Sequence, residues 1–208
     1  MPIVSVDTRR PERPSNRYST AEHYRSDSYY CVHVRRLAAL LACCALVACG
    51  DGEEVAADVP AGIEVTSSAF AADEEIPVVY SCAGRNISPP LEWTGVPDQA
   101  HEVALVVDDP DAPRGTFTHW ILFGLPASTS SLAEDSRPKD ARQARNSAGS
   151  AAYAGPCPPS GTHHYRFTVY ALDAPLELSD GADTHQALEA ISEHAIAQGR
   201  LVGLFTAR

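Results

Sequence analysis

His164-Tyr165-Arg166-Phe167-Thr168-Val169-Tyr170-Ala171-Leu172 alternates along its length, with Tyr165, Phe167 and Val169 on one side and Arg166 and Thr168 on the other. A period of two is the signature of a strand with one face in a core. Two further stretches, Glu102 to Asp108 (E-V-A-L-V-V-D) and His119 to Phe123 (H-W-I-L-F), are nearly continuous apolar runs. Their length and branched residues fit strands covered on both faces. Working outward, Ile63 to Ser67 alternates, Val78-Val79-Tyr80 is a short strand candidate, and Leu201 to Phe205 is the last strand. Only Thr184 to Gln198 reads as a helix: Leu188, Ile191 and Ala195 form a stripe, Thr184 stands at its start and Gly199 at its end. Strands parted by loops rich in proline and glycine predict a mainly β fold, an antiparallel β-sandwich with minor helices.

The chain has 208 residues, of which 44% are hydrophobic and 21% charged, a globular balance. Lys and Arg number 16 against 27 Asp and Glu, a formal net charge of −11. So acidic a chain lacks the basic footprint of a general nucleic-acid binder. No run is long enough and apolar enough for a membrane-spanning helix.

The domain does not begin at Met1. Residues 1–33 show no apolar period and read as disordered or as untranslated sequence, with Val32 or Val34 as candidate start sites. Residues 34–49 read as a secretory signal: Arg35-Arg36, the apolar run Leu37 to Ala48, then Cys49. Leu46-Val47-Ala48-Cys49 resembles the bacterial lipobox, which makes Cys49 the lipidated mature N-terminus of an envelope protein, with the outer membrane favoured. Residues 50–62 form a flexible tether rich in Gly, Ala, Asp and Glu, and residues 63–208 form the domain. A lipid anchor supplies the membrane attachment that so acidic a surface does not.

Removal of the signal leaves Cys82 and Cys157 as the cysteines of an exported domain. Two readings stand side by side. A disulfide would close a loop of about 75 residues, worth about 4 kcal/mol on the chain-entropy model; the alternative is two buried free thiols. Three loops concentrate unusual residues: Asn86 to Trp93 (N-I-S-P-P-L-E-W); Asp108 to Pro113 (D-D-P-D-A-P) with Thr118-His119-Trp120; and Gly155 to Pro159 (G-P-C-P-P) with Gly161 to Tyr165 (G-T-H-H-Y). Proline-rich loops have few conformations to lose on binding and suit a preformed pocket.

Taken together, these motifs resemble the phosphatidylethanolamine-binding proteins, in particular their bacterial Raf-kinase-inhibitor-like branch, over about residues 63–208. The resemblance implies a β-sandwich with a small anion pocket. Carried over by motif, the pocket residues are Asp109 and Asp111, His119, Gly155 and Pro156, and His163 and Tyr165. His164 stands where arginine is frequent in relatives, but on a strand it points away from its neighbours. Leu204 to Arg208 departs from the usual aromatic-then-charged ending, at the expected far wall of the pocket.

Two aspartates in an anion pocket need a reason. One is that a carboxylate accepts from an imidazole N–H and orients that histidine toward phosphate. The other is a zwitterionic ligand whose ammonium meets a carboxylate. Both predict binding that weakens as pH rises.

The expected function is therefore a binding module for a phosphorylated or zwitterionic small molecule or lipid head group, not an enzyme. No G-x-S-x-G elbow is present, and no free cysteine stands outside the Cys82 and Cys157 pair, although His119 or His163 as a general base is the hydrolase alternative. A zinc site from Asp109, Asp111, His119 and His163 lacks the tight ligand spacings of such sites, and no cofactor is implied. Modulation of an envelope protease or other protein is a further alternative, and a homodimer is compatible with the sequence. The stretch from Arg137 to Arg145, like His101, His185 and His194, reads as solvated surface.

Overall fold

The computed structural model describes residues 59–208, which lie in one compact unit, Val47–Arg208. The signal, Cys49 and most of the tether lie outside the described residues. The strands are β1 (Glu64–Thr66), β2 (Leu91–Thr94), β3 (Glu102–Asp109), β4 (Phe117–Pro126), β5 (Ser131–Leu132), β6 (Arg142–Ala144), β7 (Thr162–Leu172) and β8 (Ala195–Thr206), with helix α1 (Thr184–His194) before the last. They form a three-stranded sheet, β1-β2-β5, and a five-stranded sheet, β6-β4-β3-β7-β8. All strand pairings are antiparallel. The fold is the mainly β sandwich anticipated above.

The larger sheet is buried on both faces. Val103, Leu105 and Val107 of β3 point with Phe167 and Val169 of β7 into the sandwich core, where Trp93, Leu91, Phe70 and Phe205 meet them. Ala104 and Val106 point the other way, with Ile121, Phe123 and Tyr170, and are covered by Leu188 and Ile191 of α1. This is why β3 carries no polar alternation until its last residues.

Three local expectations are corrected. Val78–Tyr80 is a turn of 3-10 helix, not a strand; Pro77 leads into it, and Tyr80 N–H donates to the Pro77 carbonyl. The helix stops at His194 and not at Gln198, because from Ala195 onward the chain pairs with β7. Its N-cap is Asp183, whose carboxylate accepts from His185 N–H, while the Thr184 hydroxyl donates to the Arg145 carbonyl. Gly199 therefore terminates nothing. It lies within β8, where a Cβ would collide with the Ile63 carbonyl. The chain before β1 crosses closely there: Gly62 and Ile63 N–H both donate to the Gln198 carbonyl, and Gln198 N–H donates to Pro60. Residues 59–62 of the expected tether are thus part of the domain edge.

Gly199→Ala should lower the unfolding free energy by about 2 kcal/mol, since backbone must move to admit a methyl group. The denaturant midpoint should fall with an unchanged slope. An unchanged midpoint would mean that the crossing does not constrain the fold.

Candidate functional site

Register creates the site. Between the pairs Val107–Trp120 and Asp108–Thr118, β4 has one residue more than β3, and the surplus residue is His119. Such a bulge breaks the alternation and re-aims a side chain. Here it sends His119 to the same side as Trp120, edge-on to the Tyr165 ring at 5.2 Å between centroids. Strict alternation on β7 brings His163 and Tyr165 to that side and leaves His164 outside.

A cavity of about 480 Å³ opens at this end of the sandwich. Asp109, His119 and His163 line its floor, and Ala154, Gly155, Cys157 and Pro159 form one lip. The opposite wall is the segment from Ala112 to Phe117, including Arg114. The lip is held tightly. Gly155 N–H donates to Asn86 Oδ1 (2.7 Å), Cys82 N–H donates to the Pro156 carbonyl (3.1 Å), and Tyr153 hydroxyl donates to the Tyr80 carbonyl (3.0 Å). Cys82 and Cys157 are joined by a disulfide with Cα atoms 5.5 Å apart. Gly155 has no room for a side chain, because its Cα packs against the Tyr80 carbonyl.

Both imidazoles are oriented by their Nδ1 atoms. His163 Nδ1 lies 2.7 Å from Asp109 Oδ2, and both side chains are buried. A carboxylate only accepts, so Nδ1 carries the proton. The other Asp109 oxygen accepts from Asp111 N–H at 2.9 Å, which closes the D-P-D turn. His119 Nδ1 lies 2.7 Å from the Ala154 carbonyl and must likewise donate. In each ring the Nε2 atom is the one left for the cavity.

Burial pushes the His119 pKa below the ordinary imidazole value of 6.5, against the raising effects of the Ala154 hydrogen bond and of Asp109. Burial first, and then the Asp109 carboxylate, holds the Tyr165 hydroxyl far above its usual value, so it remains a neutral donor. That hydroxyl is enclosed near Asp109 and the Cys157 backbone, but among the described residues no atom meets it in hydrogen-bond geometry.

Of the seven residues assigned to the pocket from sequence, Asp109, His119, Gly155 and His163 line it. Asp111 does not. It is turned to the exterior, where its carboxylate accepts from both N–H and Nδ1 of His164 (2.8 and 2.7 Å), and these bonds lower its pKa. Pro156 is buried within the same loop, and Tyr165 lies beneath the floor at 0% exposure. The far wall is not the C-terminal segment: Phe205 is in the core, and Arg208 stacks on its ring and pairs with Glu75. Phe117 and Arg114 take that place. Both fall between two motifs, so no residue pattern marked them. The stretch from Arg137 to Arg145, read from sequence as solvated surface, is in part ordered strand: Arg142–Ala144 is β6, and Arg142 donates to the Leu176 and Leu178 carbonyls. Among the described residues, no cluster of three or more His, Cys, Asp or Glu side chains is grouped to hold a metal ion.

Comparison with known proteins agrees with this fold. Residues 66–206 match the family model described as phosphatidylethanolamine-binding protein. A UPF0098 protein of Methanothermobacter thermautotrophicus is 43% identical over 148 residues, covering 69% of this chain and 98% of the relative. A Mycobacterium tuberculosis protein named "Putative lipoprotein LppC" is 47% identical over 145 residues, 69% of this chain and 72% of the relative. Among solved structures, a phosphatidylethanolamine-binding protein homologue from Chlamydia trachomatis matches with a TM-score of 0.67 and 40% identity, covering 71% of this chain and 99% of that one. E. coli YbcL, described as a member of the mammalian family, matches with a TM-score of 0.67 and 30% identity, covering 71% and 100%.

The lowered His119 pKa has a consequence for stability. An unfolded histidine takes up a proton near pH 6.5, whereas folded His119 resists it, so this residue's contribution is lost as pH falls below that value. Unfolding free energies measured from about pH 7 to about pH 5 should decline less for His119→Gln than for the wild type. Parallel declines would contradict the assignment of a neutral, buried His119.

Proposed function

This chain belongs to the phosphatidylethanolamine-binding protein family, and we propose that its cavity binds the head group of a phosphorylated or zwitterionic small molecule or lipid. The observation that carries this reading is the pair of imidazoles, His119 and His163. Both have Nδ1 committed to a protein acceptor, and both line one cavity with Nε2 free for a ligand. Rings held in place in this way lose little freedom on binding. Arg114 at the mouth adds a positive charge, and the cavity is large enough for an organic phosphate rather than for the bare ion alone.

Proton linkage follows from the same geometry. Neutral His119 presents a bare Nε2, so a phosphate oxygen meets it only with a proton between them. Binding is therefore accompanied by proton uptake, shared between His119 and the phosphate, and weakens as pH rises. An ammonium group on the ligand has Asp109 as its partner. The role proposed is binding, not catalysis: the side chains lining this cavity supply donors and one buried carboxylate, but no activated nucleophile.

We place the domain in the bacterial cell envelope, anchored by lipid at Cys49. The Leu46-Val47-Ala48-Cys49 sequence and the relative named as a lipoprotein support this reading.

Calorimetric titration with O-phosphoethanolamine and with inorganic phosphate tests the proposal. Saturable binding is expected, at least about tenfold weaker in His119→Ala and tighter at pH 6 than at pH 8. A preference for the ethanolamine compound would identify Asp109 as the ammonium partner. Absence of binding by either ligand, or equal binding in His119→Ala, would overturn the reading. Membrane release of a Cys49→Ser variant tests the anchor separately.

A further inference from the structure

A second cavity, of about 240 Å³, lies back to back with the first. The segment 152–155 divides them: Ala152 and Tyr153 line the second cavity, Ala154 and Gly155 the first. The bulge is shared in the same way, with His119 lining the first cavity and Trp120 the second.

The second cavity holds hydrogen-bonding groups that the fold does not use. Gln143 is 7% exposed, and its Oε1 accepts from Trp120 Nε1 at 2.5 Å. That bond orients the amide, so both Nε2 protons point away from the indole, and among the described residues nothing accepts them. Ser88 is 5% exposed, and its hydroxyl likewise has no partner there. Arg137 spends Nε on the Ala141 carbonyl (3.0 Å) and Nη2 on Asp180 (2.7 Å), leaving Nη1. Asn86 spends Oδ1 on Gly155 N–H, leaving its Nδ2 protons. The unsatisfied groups are thus mostly donors, and one guanidinium is among them. A single carboxylate, that of Asp135, stands on the same wall, exposed.

Arg137 and Asn86 are exposed, and water reaches the free donor atoms of Gln143 and Ser88 as well, so an entering acceptor exchanges that water for direct, charge-assisted hydrogen bonds. A phosphate dianion fits poorly, because the arginine is already paired with Asp180 and Asp135 repels a second negative charge. A carboxylate carries one charge and two acceptor oxygens, and an adjacent ammonium suits Asp135. The volume lies below that of cavities for drug-sized molecules and suits a small metabolite. We propose that this cavity is a second ligand site, for a small carboxylate-bearing molecule, with α-amino acids as its best-fitting class. The carboxylate is held by Arg137, Ser88 and Gln143, and the ammonium faces Asp135.

Trp120 provides the readout. The chain has 2 tryptophans, and the other, Trp93, donates its indole N–H to the Thr129 carbonyl and packs in the sandwich core. The indole N–H resonances of the protein are followed during titration with acetate, glycine and methylamine. Acetate and glycine should shift Trp120 saturably, with glycine the tighter, while methylamine leaves it in place and Trp93 serves as internal control. Ser88→Ala and Arg137→Gln should each weaken the response about tenfold. Because the Ser88 hydroxyl makes no bond within the fold, Ser88→Ala should melt at the wild-type temperature. A Trp120 resonance unmoved by acetate and glycine would mean that the cavity holds water alone and would overturn the proposal. So would a titration of Ser88→Ala with the wild-type half-saturation concentration, or a response to methylamine only. None of these outcomes depends on phosphate binding in the first cavity.

Discussion

The register of β7 is the constraint on which the molecule rests. It pairs with β3 from Asp108–Arg166 to Glu102–Leu172, and with β8 along its whole length. A slip by one residue would exchange the two faces: Phe167 and Val169 would leave the sandwich core, and Arg166 would enter it. Two different environments therefore oppose the same error. Beyond Phe167, the inward set continues as Tyr165 and His163, so the rule that builds the core also delivers the floor of the cavity. The outward set is locked by the Arg166 guanidinium, which holds Asp108 of β3 through two bonds of 2.6 and 2.9 Å with both side chains largely buried. Paired bonds in a planar fork fix position as well as charge.

Departures from regularity supply the rest. The bulge at His119 uses one surplus residue to turn an imidazole toward the cavity and the next residue's indole toward its neighbour. The lip cannot be regular strand, because its prolines deny ladder hydrogen bonds. It is pinned instead by side chains and by the disulfide. Asn86 shows how economically this is done: at a positive φ of 57° it turns the chain, and its Oδ1 holds Gly155. Its other amide atom is left to the second cavity. The two cavities are thus joined through a short segment whose position both depend on.

Two of the buried carboxylates, Asp109 and Glu102, share a role. Asp109 is satisfied by His163 and by the turn it closes. Glu102 is 4% exposed and accepts from Gly124 and Leu176 N–H (2.8 and 3.2 Å), with Arg142 close by. Burial raises its pKa despite those bonds. In both cases the carboxylate stabilises irregular backbone, a bulge or a turn, that has no ladder partner of its own. The carboxylate nearest the cavity is thus occupied in orienting a histidine.

Local pattern alone determined the strands at Glu102, His119 and His164, the apolar stripe of α1 and the sandwich class, because periodicity reflects burial directly. The motif resemblance placed Asp109, His119, Gly155 and His163 at one site. The end of α1 was not legible: Ala195 to Gln198 suits a helix locally, but pairing with β7 satisfies its backbone in a way no local preference can match. Gly199 looked like a helix stop and is a crossing point, since the Ile63 carbonyl that requires it is remote in sequence. Asp111 and His163 look equally eligible in the motifs. Only packing shows that Asp111 turns outward to His164, while Arg114 and Phe117 form the wall. Sequence determined which residues are buried and at what spacing; tertiary structure decided which of them meet, because a one-residue bulge or a crossing strand depends on partners far along the chain.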